Sequence, residues 1–328
     1  MRSLRLFRLL PALLLGASLV GCSSNPTTGR SQFNLLSRDE EIAIGEEAKG
    51  QLTAEYGGAV PDAQTQAYVR EVGSKLAAQT EGDAPSLPWE FTLLDSEVVN
   101  AFALPGGKTF ISRGLAEKFD SEAELAFVMG HEVGHVTARH QNEQISRQIA
   151  AAIVVAGVGI AANEADSEVV KAGVPVVVGA GTGLYLLRFG RGQELEADEL
   201  GMRYMTKVGY DPEAARDAMN VLKELSENGE RPPELLSTHP YPENRLDQIN
   251  DRLRTIYAEQ VGNPAYKRYE TEYKRRMLNR LAMLPPPPDA GRAVVLSDPS
   301  TWCALCAPEH QEESAESSRE VASAGLQP

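Results

Sequence analysis

Residues 131–140 read HEVGHVTARH, and the fold turns on which of these polar side chains share a face. On a helix turning about 100° per residue, His131 and His135 lie about 40° apart, so both imidazoles reach one ion while Glu132 sits beside it. That pattern supplies two zinc ligands and a carboxylate placed to deprotonate a zinc-bound water. Leu125, Phe127, Val128, Met129, Val133 and Val136 surround it with apolar side chains, so the helix is expected to be buried. Burying two imidazoles and a carboxylate without partners is costly, and a metal is a partner. The alternative is a chance pattern in a core helix. His140 lies about 180° from His131 on the same wheel and is expected to be a hydrogen-bonding structural residue.

Moving outward, Ser121 and Glu124 match a capping box that starts this helix. A third ligand must come from elsewhere. A metzincin would carry glycine and histidine where this chain has Ala138 and Gln141, so that class is excluded. The segment ELEAD, 194–198, is the candidate. Glu194 and Asp198 fall on the apolar arc of Ala197, Leu200, Gly201, Tyr204, Met205 and Val208, whereas Glu196, Glu199, Arg203 and Lys207 fall on the opposite, solvated face. Glu194 as metal ligand, with Asp198 accepting from a ligand histidine, gives two buried carboxylates a purpose. A buried salt-bridged pair is the alternative.

The 328 residues carry a net charge of -14, which disfavours a nucleic-acid partner. Residues 1–21 read as a signal peptide, with Arg2, Arg5 and Arg8 before an apolar run. The run ends in LVGC, which resembles a bacterial lipobox; the resemblance implies acylation of Cys22, and Ser23 after it implies the outer membrane. Residues 22–36 read as a polar tether. WEFTLLDS, 89–96, reads as a strand, and 98–112 as two short strands around Pro105-Gly106-Gly107. Residues 149–187 read as an apolar helical hairpin broken by Pro175 and several glycines, too short to span a bilayer twice. RPPELLSTHPYPENRL, 231–246, reads as a proline-punctuated loop entering a helix near Glu243, with helical sequence continuing to about 284. Residues 285–328 open with four prolines and read as a disordered Ser/Glu-rich tail. That tail holds Cys303 and Cys306; without βαβ context they are expected to be a tail disulfide or incidental thiols.

HEVGH, then ELEAD, then STHPYPENRL together resemble the HtpX and CAAX-prenyl-endopeptidase family of zinc metallopeptidases, in its periplasmic lipoprotein branch. The resemblance covers about residues 30–250. It implies His131, His135 and Glu194 as ligands to one zinc per chain, Glu132 as base and Asp198 in support. It implies that His239 donates a proton to the oxyanion or serves as a fourth, inhibitory ligand, and that Arg245 anchors its loop or binds the oxyanion. NAFALPGG, 100–107, is similar to the family's active-site edge strand, so Asn100, Ala101, Phe102 and Ala103 are expected beside an extended substrate. Strand-end turn chemistry is the alternative for Asn100.

The expected architecture is α+β and mostly α-helical: a zincin-type metalloprotease domain, 37–284, whose small β-sheet has an edge strand bordering the cleft. The expected activity is zinc-dependent endoproteolysis of unfolded, misfolded or stalled envelope proteins, on the periplasmic side of the outer membrane. Two other classes stay open: a periplasmic chaperone or assembly factor for outer-membrane proteins, and a structural zinc protein. Oligomeric state is not legible.

Overall fold

The segment that carries HEVGH starts where its capping box demands. Ser121 accepts from the Glu124 backbone, Glu124 reaches back to the Ser121 N–H, and the helix runs Glu122–Thr137 with every residue buried. The computed structural model describes residues 22–161, 188–228, 234–240 and 242–288. In chain order it contains strands β1 (Cys22–Ser24) and β2 (Ser31–Phe33), helices α1 (Arg38–Glu55) and α2 (Ala63–Ala77), strands β3 (Glu90–Leu94), β4 (Ala101–Leu104) and β5 (Lys108–Ser112), and the short α3 (Arg113–Ala116). The HEVGH helix is α4, followed by α5 (His140–Ala161), α6 (Arg191–Val208), α7 (Glu213–Asn228), α8 (Glu234–Thr238) and α9 (Pro242–Thr255). The fold is α+β and mostly helical, with a mixed three-stranded sheet in the order β3-β5-β4. β3 runs parallel to β5 and β4 antiparallel to it, joined by the Pro105–Gly107 turn. Gly106 and Gly107 adopt positive φ there, a conformation closed to most side chains.

Two kinds of packing place α4. Its apolar residues join one core with Tyr68, Val69, Val72 and Leu76 of α2, and with Met202, Tyr204 and Met205 of α6; each such burial stabilises by roughly 1.5–3 kcal/mol. Against α6 the contact is backbone on backbone. A Cβ on Gly201 would stand 2.9 Å from the His131 nitrogen, and one on Gly134 would stand 3.0 Å from the Ala197 carbonyl oxygen. Small residues on both helices therefore let the histidines of α4 approach the carboxylates of α6.

The segment 22–36 is not a free tether. β1 and β2 pair antiparallel, and buried Asn25 and Gln32 donate to the carbonyls of Thr137 and Ala138 at 3.3 and 2.6 Å. Arg38 Nη1 donates to the carbonyl of Val136 at 3.3 Å. The last carbonyls of a helix lack intrahelical partners, and here polar side chains from the N-terminal segment supply them. A polar composition suits this capping as well as it suits a linker.

Two further expectations change. The proline-punctuated loop carries α8 before α9 begins. The helical run expected to reach about 284 ends at Thr255 and resumes only at Glu270; Gly262 with positive φ and Pro264 interrupt it. Of the expected 149–187 hairpin, residues 149–161 continue α5. Residues 162–187 lie outside the described residues, as do the signal segment 1–21 and the tail from 289. No helix among the described residues is long and apolar enough to cross a membrane.

The close approach of α4 and α6 gives a test. Gly201→Val should destabilise the chain by about 1–3 kcal/mol or more, because its neighbours are backbone atoms that cannot step aside. On the same helix, a Cβ at Gly192 meets nothing within 4 Å, so Gly192→Ala should leave the urea midpoint unchanged or slightly raised. Equal midpoints for the two variants would refute the tight contact.

Candidate metal centre

Three elements aim donors at one point. His131 and His135 come from α4, Glu194 comes from α6, and His239 follows the last residue of α8. One ligand atom from each of the four lies within 4.8 Å of all the others, and all four residues are buried. His131 Nε2 stands 3.0 Å from His135 Nε2 and 3.2 Å from His239 Nδ1. Glu194 Oε1 lies 3.1 Å from His239 Nδ1 and 3.5 Å from His135 Nε2, and its Oε2 lies 3.6 Å from His131 Nε2. Tetrahedral bonds of about 2.0–2.1 Å require neighbouring ligand atoms about 3.3–3.4 Å apart. The donor set fits a small divalent ion.

The charges fit as well. Glu132, Glu194 and Asp198 are buried with only Arg245, among the described residues, as a fixed buried cation beside them, which leaves two surplus negative charges when all three carboxyls are ionised. Glu132 Oε1 is buried without a hydrogen-bond partner among the described residues, and lies 3.7 Å from His239 Nε2. Buried polar atoms of this kind are rare unless something else satisfies them.

Burial favours the neutral form of Glu194, but the charges of His239 and Arg245 outweigh it and hold the carboxyl well below its usual range. Burial likewise opposes ionisation of Asp198, yet Arg245 and His131 keep its pKa low. Desolvation pushes His135 well below the ordinary histidine value and so keeps it a neutral donor. At His239 burial is overcome by the charges of Glu194 and Glu132, and the pKa rises.

Asp198 accepts from His131 Nδ1 at 2.9 Å, the arrangement expected of a carboxylate that orients a ligand histidine. Arg245, on α9, grips Asp198 with two parallel bonds of 2.8 and 2.7 Å. Its Nη1 lies 2.9 Å from Glu194 Oε2, close as an ion pair but without hydrogen-bond alignment.

The expected substrate strand is β4, an edge of the described sheet that packs against α4. Asn100 is buried, donates to the Tyr56 hydroxyl at 2.8 Å, and exchanges bonds with Ser112 through its backbone. Ala101 belongs to the main core, and Phe102 stacks on Phe110 at 4.8 Å in a second cluster. The Ala103 carbonyl accepts from Gln141 at 3.3 Å.

Two neighbours were not foreseen. Phe189 stacks on His135 with ring centroids 4.0 Å apart; it lies just outside a helix, where no periodicity marks it. Glu196, expected to be solvated, is bonded to His140 and Arg30, because the β1–β2 hairpin covers that side of α6. The wheel position for His140 also fails, because α4 ends at Thr137 and Arg139 takes φ 57°. The turn swings His140 back until its Nδ1 lies 2.9 Å from His135 Nδ1. It remains a hydrogen-bonding residue, reached by a different route.

The chain is 32% identical over 234 residues to the beta-barrel assembly-enhancing protease of Yersinia pestis, covering 70% of this chain and 47% of that protein. It is 35% identical over 196 residues to the mitochondrial metalloendopeptidase OMA1 of Arabidopsis thaliana, covering 58% and 38% of the two chains. The OMA1 of Schizosaccharomyces pombe is 29% identical over 243 residues, 74% of this chain and 69% of that one. The chain spans about half the length of the beta-barrel assembly-enhancing proteases it matches. A family model, Peptidase family M48, matches residues 63–253, the stretch from α2 to α9 that holds every donor described above, and the chain belongs to that family.

Proposed function

We propose that the chain is a zinc metalloendopeptidase holding one ion through His131, His135 and Glu194, with His239 as a fourth donor at rest. The observation that carries this reading is Glu132, a buried carboxylate with one oxygen unpartnered among the described residues, beside a converged set of candidate metal donors. When bound, zinc supplies Lewis acidity that polarises a carbonyl and brings a water's pKa toward about 7. Glu132 takes the proton of the attacking water and passes it to the leaving amine. Asp198 holds the His131 ring, and Arg245 holds Asp198; those bonds favour an anchoring role for Arg245 over direct contact with the oxyanion. His239 Nε2 stands 3.7 Å from Glu132 Oε1, and proton donation to the oxyanion is the alternative to its place in the donor set. Extended substrates would add to β4 through backbone hydrogen bonds, which reads few side chains.

The substrates in this reading are misfolded or stalled envelope proteins; the bacterial relatives' names, which speak of beta-barrel assembly and of a protease, support substrates met during that assembly. The LVGC stretch supports an anchor through an acylated Cys22 on the periplasmic face of the outer membrane. The same names favour a second reading, assembly assistance to outer-membrane proteins with hydrolysis secondary. A four-donor set also admits a closed structural site, but such a site has no use for Glu132.

Three experiments separate these readings. Glu132→Gln should bind about one zinc per chain while casein cleavage falls about 10²–10⁴-fold; envelope function surviving in that variant would favour the assembly reading. Glu194→Ala should lose both zinc and activity, and a variant that keeps both removes the proposed centre altogether. His239→Ala should retain zinc and cleave unfolded substrate faster, because a position in the donor set opens; slower cleavage at full zinc content would instead make His239 the oxyanion donor.

A further inference from the structure

The sequence pattern assigns no partner to the second nitrogen of His135, and the structure supplies one in series. His135 Nδ1 stands 2.9 Å from His140 Nδ1, and His140 Nε2 stands 2.8 Å from Glu196 Oε2. His140 is fully buried. The same carboxylate oxygen accepts from Arg30 Nε at 3.0 Å, and Arg30 Nη2 also bonds Glu143 at 2.8 Å.

For a neutral His140, counting protons gives the arrangement. A carboxylate only accepts, so the His140 nitrogen that faces Glu196 carries the hydrogen. A neutral His140 then has a bare Nδ1, and this nitrogen can only accept from His135. The proton of His135 therefore sits on Nδ1, and its Nε2 presents a lone pair to the donor set. His131 reaches the same state by donating its Nδ1 proton directly to Asp198. Helix α6 thus provides all three carboxylates: Glu194 within the donor set, Asp198 behind one imidazole, and Glu196 behind the other through His140.

The backbone between the two histidines is shaped for this contact. Arg139 adopts φ 57°, in the left-handed region, which costs a non-glycine residue energy that the surroundings must offset. Its guanidinium bonds Glu41 at 2.8 Å and the Leu36 carbonyl at 2.7 Å. Asn142 bonds the same two partners. A continuous helix would have carried His140 away from His135.

We infer that His140 and Glu196, steadied by Arg30, form a positioning relay that fixes the tautomer and orientation of His135 for metal binding. The inference rests on the metal centre proposed above. Partners of this kind are worth about 10–100-fold in metal affinity.

The test uses the full chain with zinc ions alone, titrated against a competing chelator. His140→Phe keeps an aromatic ring but removes the acceptor, and should weaken zinc binding about 10–100-fold. His140→Gln offers an amide oxygen to His135 Nδ1 and should recover most of the loss. A Phe variant that binds as tightly as wild type overturns the relay. So does a Gln variant as weak as the Phe variant, since the effect would then be packing. Long-range ¹H–¹⁵N spectra of the unsubstituted, zinc-free chain decide the matter even if a variant fails to fold. The proton of His135 is expected on Nδ1, and finding it on Nε2 overturns the relay. Wild type that binds no zinc would instead overturn the metal centre, while the tautomer still reports on the relay.

Discussion

The structure depends on one close approach, the passage of α4 over α6 at Gly130, Gly134, Ala197 and Gly201. With Cβ positions as near as 2.9 Å to the opposing backbone, the two helices lie closer than side chains of ordinary size permit. Short separation lets imidazoles of one helix meet carboxylates of the other without long, flexible reach. The histidines on α4 and the acids on α6 are each spaced four residues apart, so each helix presents its pair along one edge of the shared seam. Placing donors on rigid elements in a dense core removes most of the conformational freedom that binding an ion would otherwise have to freeze.

That economy creates an electrostatic problem, which the remaining residues address. Glu132, Glu194 and Asp198 are all buried, and unpaired charges in such surroundings are expensive. Arg245 answers part of it from a third direction, with both faces of its guanidinium fork committed to the acids of α6. The upward shift of His239 has the same origin, since a proton there relieves the surplus negative charge of Glu194 and Glu132. A divalent cation would compete with that proton for the same field. Electrostatics therefore tie His239, seated just after a five-residue helix, to whichever positive charge occupies the cluster.

Much of this was legible in the sequence because it is local. The capping box at Ser121, the four-residue spacing of His131 and His135, and the matching spacing of Glu194 and Asp198 are properties of single helices, and helical periodicity reports them. What escaped was set by other parts of the chain. Glu196 falls on the outward face of α6, and its partners there come from elsewhere in the chain: Arg30, in a hairpin more than a hundred residues earlier, and His140. His140 was misplaced because a wheel assumes the helix continues, whereas the Arg139 turn is maintained by Glu41 and the Leu36 carbonyl, neither of them near in sequence. Phe189 precedes its helix and so belongs to no pattern. The expected edge strand shows the same division: its hairpin with β5 was readable from the Pro105–Gly107 turn, but the commitment of Asn100 to Tyr56 was not.

The N-terminal segment therefore has to be counted with the candidate metal centre. Asn25, Gln32 and Arg38 satisfy the final carbonyls of the helix that carries two metal donors, and Arg30 holds the carboxylate behind one of them. Leaving a buried polar group unpaired costs about 1–3 kcal/mol, so detaching this hairpin would loosen the end of α4 and the backing of His135 together. β1 begins at Cys22 itself. Under the proposed acylation, the lipid would attach to the strand that pairs with β2, and Gln32 of β2 donates to the Ala138 carbonyl at the end of the HEVGH helix.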